Sequence, residues 1–291
     1  MDDTLSLTVN TLFAGIMLGG FFAATALGVT IAFGMLNIVN IAHPAFVLLG
    51  AYLAILLNRW LSMDPFVAGL ALAPLFFLAG YAVYRIYYLC FERSGQDALR
   101  GLVFFFGLLF LIEAFLIVAF GVDYQSVHAS YTDEILRWGS LAVPLRILVP
   151  FGVSLAMIVL LRQFLKRTFF GRAVMAVAQD PVALRLMGTS PTGIKSCALG
   201  LATATAAISG AMLVVIQPIQ PALGREYIGM VFAVCILGGM GSLYGALAGA
   251  VILGIAETTT ATFFGPSWAP ATAFGLLVLT LAFRPSGLFS R

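Results

Sequence analysis

Residues 102–120 read LVFFFGLLFLIEAFLIVAF, a run broken by a single charge, Glu113. A helix rises about 1.5 Å per residue, so this run reaches roughly 30 Å, the thickness of the hydrocarbon core of a bilayer. Working outward, the same kind of segment recurs at 9–35, 41–57, 66–84, 141–161, 194–216, 227–258 and 268–283. Only 9% of the 291 residues are charged and 62% are hydrophobic, where a soluble domain devotes about 25% to charge. A water-soluble globule is thereby excluded. The fold class is all-α: a polytopic transmembrane helical bundle of about 8–9 spans with short broken helices, forming a single domain over residues 1–291. The net charge is +3 and the basic residues are scattered, which gives no footing for nucleic acid.

Segment 227–258 is too long for one span and carries Gly238, Gly239 and Gly241 near its middle, so we divide it into two shorter helices, for nine crossings; eight remain if one piece only re-enters. With the N-terminus outside, the inner connections hold eleven of the fifteen Lys and Arg residues and the outer ones hold Arg59, Arg137, Arg146 and Arg225. The positive-inside bias then places the C-terminus in the cytoplasm. The acidic start MDDTLSLTVN lacks the basic n-region of a secretory leader. Cys90, Cys197 and Cys235 have no disulfide or metal spacing.

Polar residues inside apolar runs are expensive and need a reason. Asn37, Asn40 and His43 recur every third residue, near one face if helical, and Pro44 then removes a backbone donor. They are candidates for a translocation path, with packing or helix termination an equal account of His43. Glu113 must be protonated, paired or turned to an aqueous cavity. Glu257, followed by three threonines, reads as an interfacial, solvated position. His128 sits in an outer loop, so no metal pair forms with His43. The stretch GGMGSLYG, 238–245, has glycines spaced unlike a dinucleotide fingerprint and no βαβ context, and GxxxxGK[ST] is missing. Small residues there, like Gly15 and Gly19, suit close helix packing in lipid.

The connection 162–195 is the most polar long stretch between spans. Asp180 is placed to cap a helix that opens on Pro181, runs through Met187 and stops at Gly188. Two turns cannot persist alone in water, and Val182, Leu186 and Met187 form an apolar ridge that calls for a docking surface, the lipid interface being the plain alternative.

Three blocks carry a resemblance: GMLNIVNIAHPAFVLLGAY (34–52), GRAVMAVAQDPVALRLMG (171–188), and LGGMGSLYGALAGAVILGIAE (237–257) through the terminal FRPSGLF (283–289). With them nearly the whole chain resembles the LivH-type permease subunit of bacterial branched-chain amino acid ABC transporters. The resemblance implies a bacterial inner-membrane importer subunit with no cofactor of its own. It would work with a second permease subunit, two ATP-binding subunits that use the ATP, and an extracytoplasmic solute-binding protein. It also implies that the middle block is the coupling loop resting on the ATPase, a role inherited by Gly171, Ala178, Asp180 and Gly188, and that the first block lies near the translocation path. The chain departs from the family pattern at Pro44, where glycine is usual, and at Ala45 and Phe46, where a more polar pair is common. Relatives of this architecture carry branched-chain amino acids, urea, short-chain amides or other small acids.

Two rivals come from other classes. An ion-coupled secondary transporter would use Glu113 as its proton or sodium site, and a membrane enzyme would join Glu113 to Glu257. The charge count yields a test of topology: cysteines introduced at Ser130 and Thr168 label from opposite faces of the membrane. Labelling from one face overturns the nine-crossing arrangement.

Overall fold

Hydrocarbon offers no partner to a backbone N–H or C=O, so each crossing has to satisfy its own polar groups as a helix. The computed structural model describes residues 2–36, 38–92, 98–127, 129, 131–139, 141–239, 241–284 and 287–288. In order these form α1 (Asp2–Leu36), α2 (His43–Leu61), α3 (Pro65–Cys90), α4 (Ala98–Phe120), β1 (Ile135–Trp138), β2 (Leu141–Pro144), α5 (Leu145–Arg167), α6 (Phe169–Gln179), α7 (Pro181–Leu186), α8 (Pro191–Ile216), α9 (Leu223–Gly238), α10 (Leu243–Phe263) and α11 (Ala269–Phe283). Among the described residues eight helices are long and apolar enough to cross a membrane; α6, α7 and α9 are not. Side-chain oxygens mark several starts: Asp64 on α3, Thr168 on α6, Ser190 on α8 and Ser242 on α10 each accept a backbone N–H of the first turn.

Contacts between connections sort the bundle into two ends. At the hairpin end, Arg59 Nη2 donates to Gln125 Oε1 at 2.6 Å, Tyr131 donates to Asp64 Oδ2 at 2.8 Å, and Gln125 pairs with Ile219 across an isolated bridge. Burial, then the Asp64 carboxylate, holds the Tyr131 phenol well above its ordinary pKa. The antiparallel β1–β2 pair sits here, and the backbone N–H of Ala142 donates to Asn10 at the start of α1. At the opposite end, with α6 and α7, Lys195 meets Glu92, and the N–H of Leu288 donates to the carbonyl of Leu237.

Among the described residues nine helices run from one end to the other, and the seventh of them, α9, differs in kind. After α8 reaches the hairpin end, residues 217–222 turn back as extended chain, and α9 begins inside the bundle. Gly224 lies against Ala45 and Leu48, whose positions are roughly 20 to 24 Å of helix rise short of the hairpin end of α2. The 16-residue α9, about 24 Å long, then runs on to Gly238. The division of segment 227–258 therefore falls at 239–242, where Gly239 and Gly241 adopt positive φ, but its first half starts earlier, at Leu223. Two further expectations change. Residues 141–144 are strand, with the helix beginning at Leu145. Asn40 and His43 do not share a helix face, because α1 stops at Leu36 and Asn40 lies in non-helical chain before α2; Asn37 lies outside the described residues.

Helices α1 and α8 form the axis. Gly15 and Gly19 of α1 bring it against the α10 backbone at Ile255 and Val251, while Gly50, Gly69 and Gly80 bring α2 and α3 onto α8. Tightest is the α9–α10 elbow, where a Cβ on Gly245 would overlap the carbonyl oxygen of Gly238. A methyl on Gly107, by contrast, would meet nothing within 4 Å. Thermal unfolding in detergent checks the difference: Gly245→Ala lowers the midpoint, as overpacking costs about 1–3 kcal/mol. Gly107→Ala leaves it unchanged or raises it, since alanine is favoured over glycine in a helix by about 1 kcal/mol.

Candidate functional site

Two places combine polar chemistry with a structural break. The first is the elbow of α6 and α7. Thr168 Oγ1 accepts the N–H of Gly171 at 3.0 Å and starts α6; a Cβ on Gly171 would overlap the backbone of Leu165, so the turn from α5 into α6 requires glycine. Asp180 Oδ1 accepts from Val182 N at 2.8 Å and Ala183 N at 3.0 Å, Pro181 opens α7, and Gly188 leaves it at φ +78°. Val182, Leu186 and Met187 are 63%, 86% and 69% exposed. The sequence missed the residue that anchors them: Leu184, midway between Val182 and Leu186, is buried in the core. Ala178 also packs on the core and Gly171 is buried, so of the seven coupling candidates Asp180, Val182, Leu186, Met187 and Gly188 gather on the outer side of the elbow. Phe169, Lys166, Arg167, Arg172 and Arg185 stand exposed around them.

A clamp flanks this elbow. Lys195 Nζ donates to Glu92 Oε1 at 2.6 Å, and Tyr84 Oη donates to Glu92 Oε2 at 2.6 Å. The start of α8 is thereby tied to the end of α3, with both ion-pair partners mostly buried.

The second place is the interior start of α9. Neither α2 nor α9 has a side chain capping its N-terminus, and the two starts meet where Gly224 touches Ala45. Free N–H groups and aligned peptide dipoles make such a junction electropositive. Arg225, in the first turn of α9, pairs with Glu113 of α4 at 3.0 Å; the carboxylate is 10% exposed and the guanidinium 52%. Of the three states open to Glu113, pairing is the one found. Contrary to the charge count, Arg225 is therefore no outer-loop residue, because 217–222 returns inward before α9 starts. A half-exposed guanidinium at this depth has to face water or another protein chain.

Asn40 and His43 are fully enclosed. The imidazole fills the space left by Gly28 on α1 and its Nε2 hydrogen-bonds the carbonyl of Thr25 at 3.0 Å; a carbonyl only accepts, so Nε2 carries the proton. His43 Nδ1 and Asn40 Oδ1 have no partner among the described residues. His128 lies outside the described residues. Glu257 does not end its helix at a solvated interface: α10 continues to Phe263, and the Glu257 Oε2 atom is buried with no partner among the described residues. It lines a cavity with Gln217, Glu226 and Tyr227, a set whose separation of up to forty positions hid it from sequence reading. No group of three His, Cys, Asp or Glu side chains able to hold a metal is found among the described residues.

Residues 11–281 match the family described as branched-chain amino acid transport system / permease component. The high-affinity branched-chain amino acid transport system permease protein BraD of Pseudomonas aeruginosa is 28% identical, over 95% of this chain and 94% of its own. The corresponding LivH protein of Escherichia coli K12 is 26% identical, over 100% and 98%. A solved structure, PsaBC from Streptococcus pneumoniae in complex with Fab, overlaps at a TM-score of 0.49 and 16% identity across 95% of this chain and 91% of that one, a likeness too distant to carry an argument.

The ion pair makes its own prediction. Removing one partner of a charge pair away from bulk water leaves the other uncompensated, at a cost of up to about 3–5 kcal/mol when fully buried and less here because Arg225 is half exposed. Glu113→Gln lowers the thermal midpoint in detergent, and adding Arg225→Gln to it restores most of the loss. A double variant that is simply the sum of two independent losses overturns the pairing.

Proposed function

The chain belongs to the branched-chain amino acid transport system permease component family, and from that premise we propose how its two breaks divide the work of transport. It is a multi-pass membrane permease subunit of an ABC-type importer and a non-catalytic component. The solute is a branched-chain amino acid or a related small polar molecule. The working assembly has a second permease subunit, two ATP-binding subunits and an extracytoplasmic solute-binding protein. The N-terminus and hairpin end face outward and the α6–α7 end faces the cytoplasm, an orientation supported by the basic residues exposed around the elbow.

The observation that carries the reading is the capped, two-turn α7 with Leu186 and Met187 projecting from it. Preorganisation of that kind lowers the entropic cost of binding a partner. In the connection 162–195, Gly171 and Ala178 hold the elbow on the bundle, Asp180 and Gly188 set the two ends of α7, and Val182, Leu186 and Met187 enter a groove of the ATPase. Movement there passes into α8 through its Ser190-capped start, and into α3 through Lys195 and Glu92. Because α8 packs against α1, α2 and α3, its displacement switches the bundle between outward-open and inward-open packings. The path runs beside the interior start of α9, where half-helix N-termini favour the carboxylate of a solute. Arg225 faces that path, Glu113 sets its charge, and Asn40 and His43 reach it in another packing of the bundle.

Replacing Leu186 and Met187 with Asp tests the coupling. Burying one such side chain contributes about 1.5 to 3 kcal/mol, so the double variant loses well over tenfold in ATPase affinity, tenfold being about 1.4 kcal/mol. Membrane insertion and yield survive, because neither side chain is buried in the bundle. Co-purification with the ATPases and ATP-driven leucine uptake in proteoliposomes are the measurements; both staying at wild-type levels assigns the ridge to the lipid surface.

A further inference from the structure

Between α1, α9, α10 and α11, toward the hairpin end, lies a cavity of about 320 Å³. Its polar side is made by Gln217, Glu226, Tyr227 and Glu257, and its apolar side by Phe22, Leu223, Met230, Pro270 and Phe274 among others. The two sides ask for different halves of one ligand.

On the polar side the hydrogen bonds do not balance. Gln217 Nε2 donates to Tyr227 Oη at 2.9 Å, which occupies the phenol oxygen as an acceptor and leaves its hydrogen to give away. Glu257 Oε2 is buried with no partner among the described residues, and Glu226, an exposed residue of the first turn of α9, brings a second carboxylate to the cavity rim. A lone buried acceptor of this kind costs about 1–3 kcal/mol, and more when charged, until a donor arrives. Carboxylate acceptors thus outnumber the donors that face them, and what completes the set has several N–H groups and a positive charge. A primary ammonium has three donors and fits.

On the apolar side, aromatic rings, a methionine and prolines offer nothing to a second charge but do bury an aliphatic chain, at about 25 cal/mol per Å² removed from water. The donor that Tyr227 retains, with the uncapped first turn of α9, suits a carboxylate on the same molecule. We infer that this cavity is a binding subsite for a small solute with a primary ammonium beside an aliphatic chain, the ammonium resting between Glu257 and Glu226. The inference deepens the permease reading and rests on it: the subsite would select for the amino group inside the membrane subunit, separately from any selection by a solute-binding protein.

Binding of radiolabelled leucine to the permease assembled with its second permease and ATPases in detergent, without the solute-binding protein, is the test. Two competitors divide the ligand: 3-methylbutylamine keeps the ammonium and lacks the carboxylate, and 4-methylpentanoate does the reverse. The amine competes at least about tenfold better than the acid. Glu257→Gln weakens leucine binding by at least about tenfold, and Ala261→Phe, which fills the cavity without altering its charge, does the same. Should Glu257→Gln fail to assemble, Ala261→Phe and the competitor ranking on the unaltered protein decide the matter. Equal competition by both analogues, unchanged leucine affinity in both variants, or displacement of leucine by sodium ions at constant ionic strength overturns the subsite while leaving ATP-driven uptake intact. An unaltered importer that takes up no amino acid overturns the permease reading, and the subsite with it.

Discussion

The close approach of helix backbones around α1 and α8 is the contact on which the rest of the molecule depends. Lipid tails are as apolar as leucine, so no hydrophobic force draws one spanning helix to another, and van der Waals contact between backbones takes its place. Gly15, Gly19, Gly50, Gly69, Gly80 and Gly210 each sit where a side chain would collide with a neighbouring helix. That density of contact holds two breaks, before α2 and before α9, within a bundle whose helices otherwise satisfy their own backbone groups. It also sets the position of each break relative to the other, so that Gly224 meets Ala45.

Charge follows the same logic. Arg225 reaches bundle depth only because the chain folds back at 217–222, and it is tolerable there because Glu113 of α4 lies 3.0 Å away. Glu92, Lys195 and Tyr84 make a comparable cluster at the opposite end. Between them the two clusters tie α8 to α3 at one end and α9 to α4 toward the other, with apolar packing over the distance between. A displacement of α7 is therefore delivered to helices that are stiff along their length and tied at their ends, which favours movement as rigid bodies over local deformation.

Legibility in the sequence tracked the range of the interaction. The apolar runs, the break at the 238–241 glycines and the Asp180–Gly188 helix depend on neighbours within one or two turns, and all three were readable. Leu184 as the anchor of α7 was missed because a two-turn helix has too few positions for a periodic signal. Arg225 and Glu113 lie on different helices more than a hundred residues apart, and nothing local tells that residues 217–222 turn inward. Glu257 was misread for a related reason: the threonines after it resemble an interface, and only the packing of α9 and α11 against α10 shows one carboxylate oxygen buried beside a cavity. Asn40 and His43 were placed on a shared helix face because a period of three was assumed to run through a stretch where the helix had already stopped.

The bond from Leu288 to Leu237 bears on how the protein is made. The carbonyl at the end of α9 finds its partner about fifty residues later in the order of synthesis, after α10 and α11 have been built. Until then α9 is a helix too short to bridge the bilayer, with a charged first turn and an unfinished last one. A translocon releasing helices singly into lipid would strand it. The final three helices are thus expected to leave the insertion machinery as one unit, with α9 sheltered by protein, so that the order of assembly is written into a single backbone hydrogen bond.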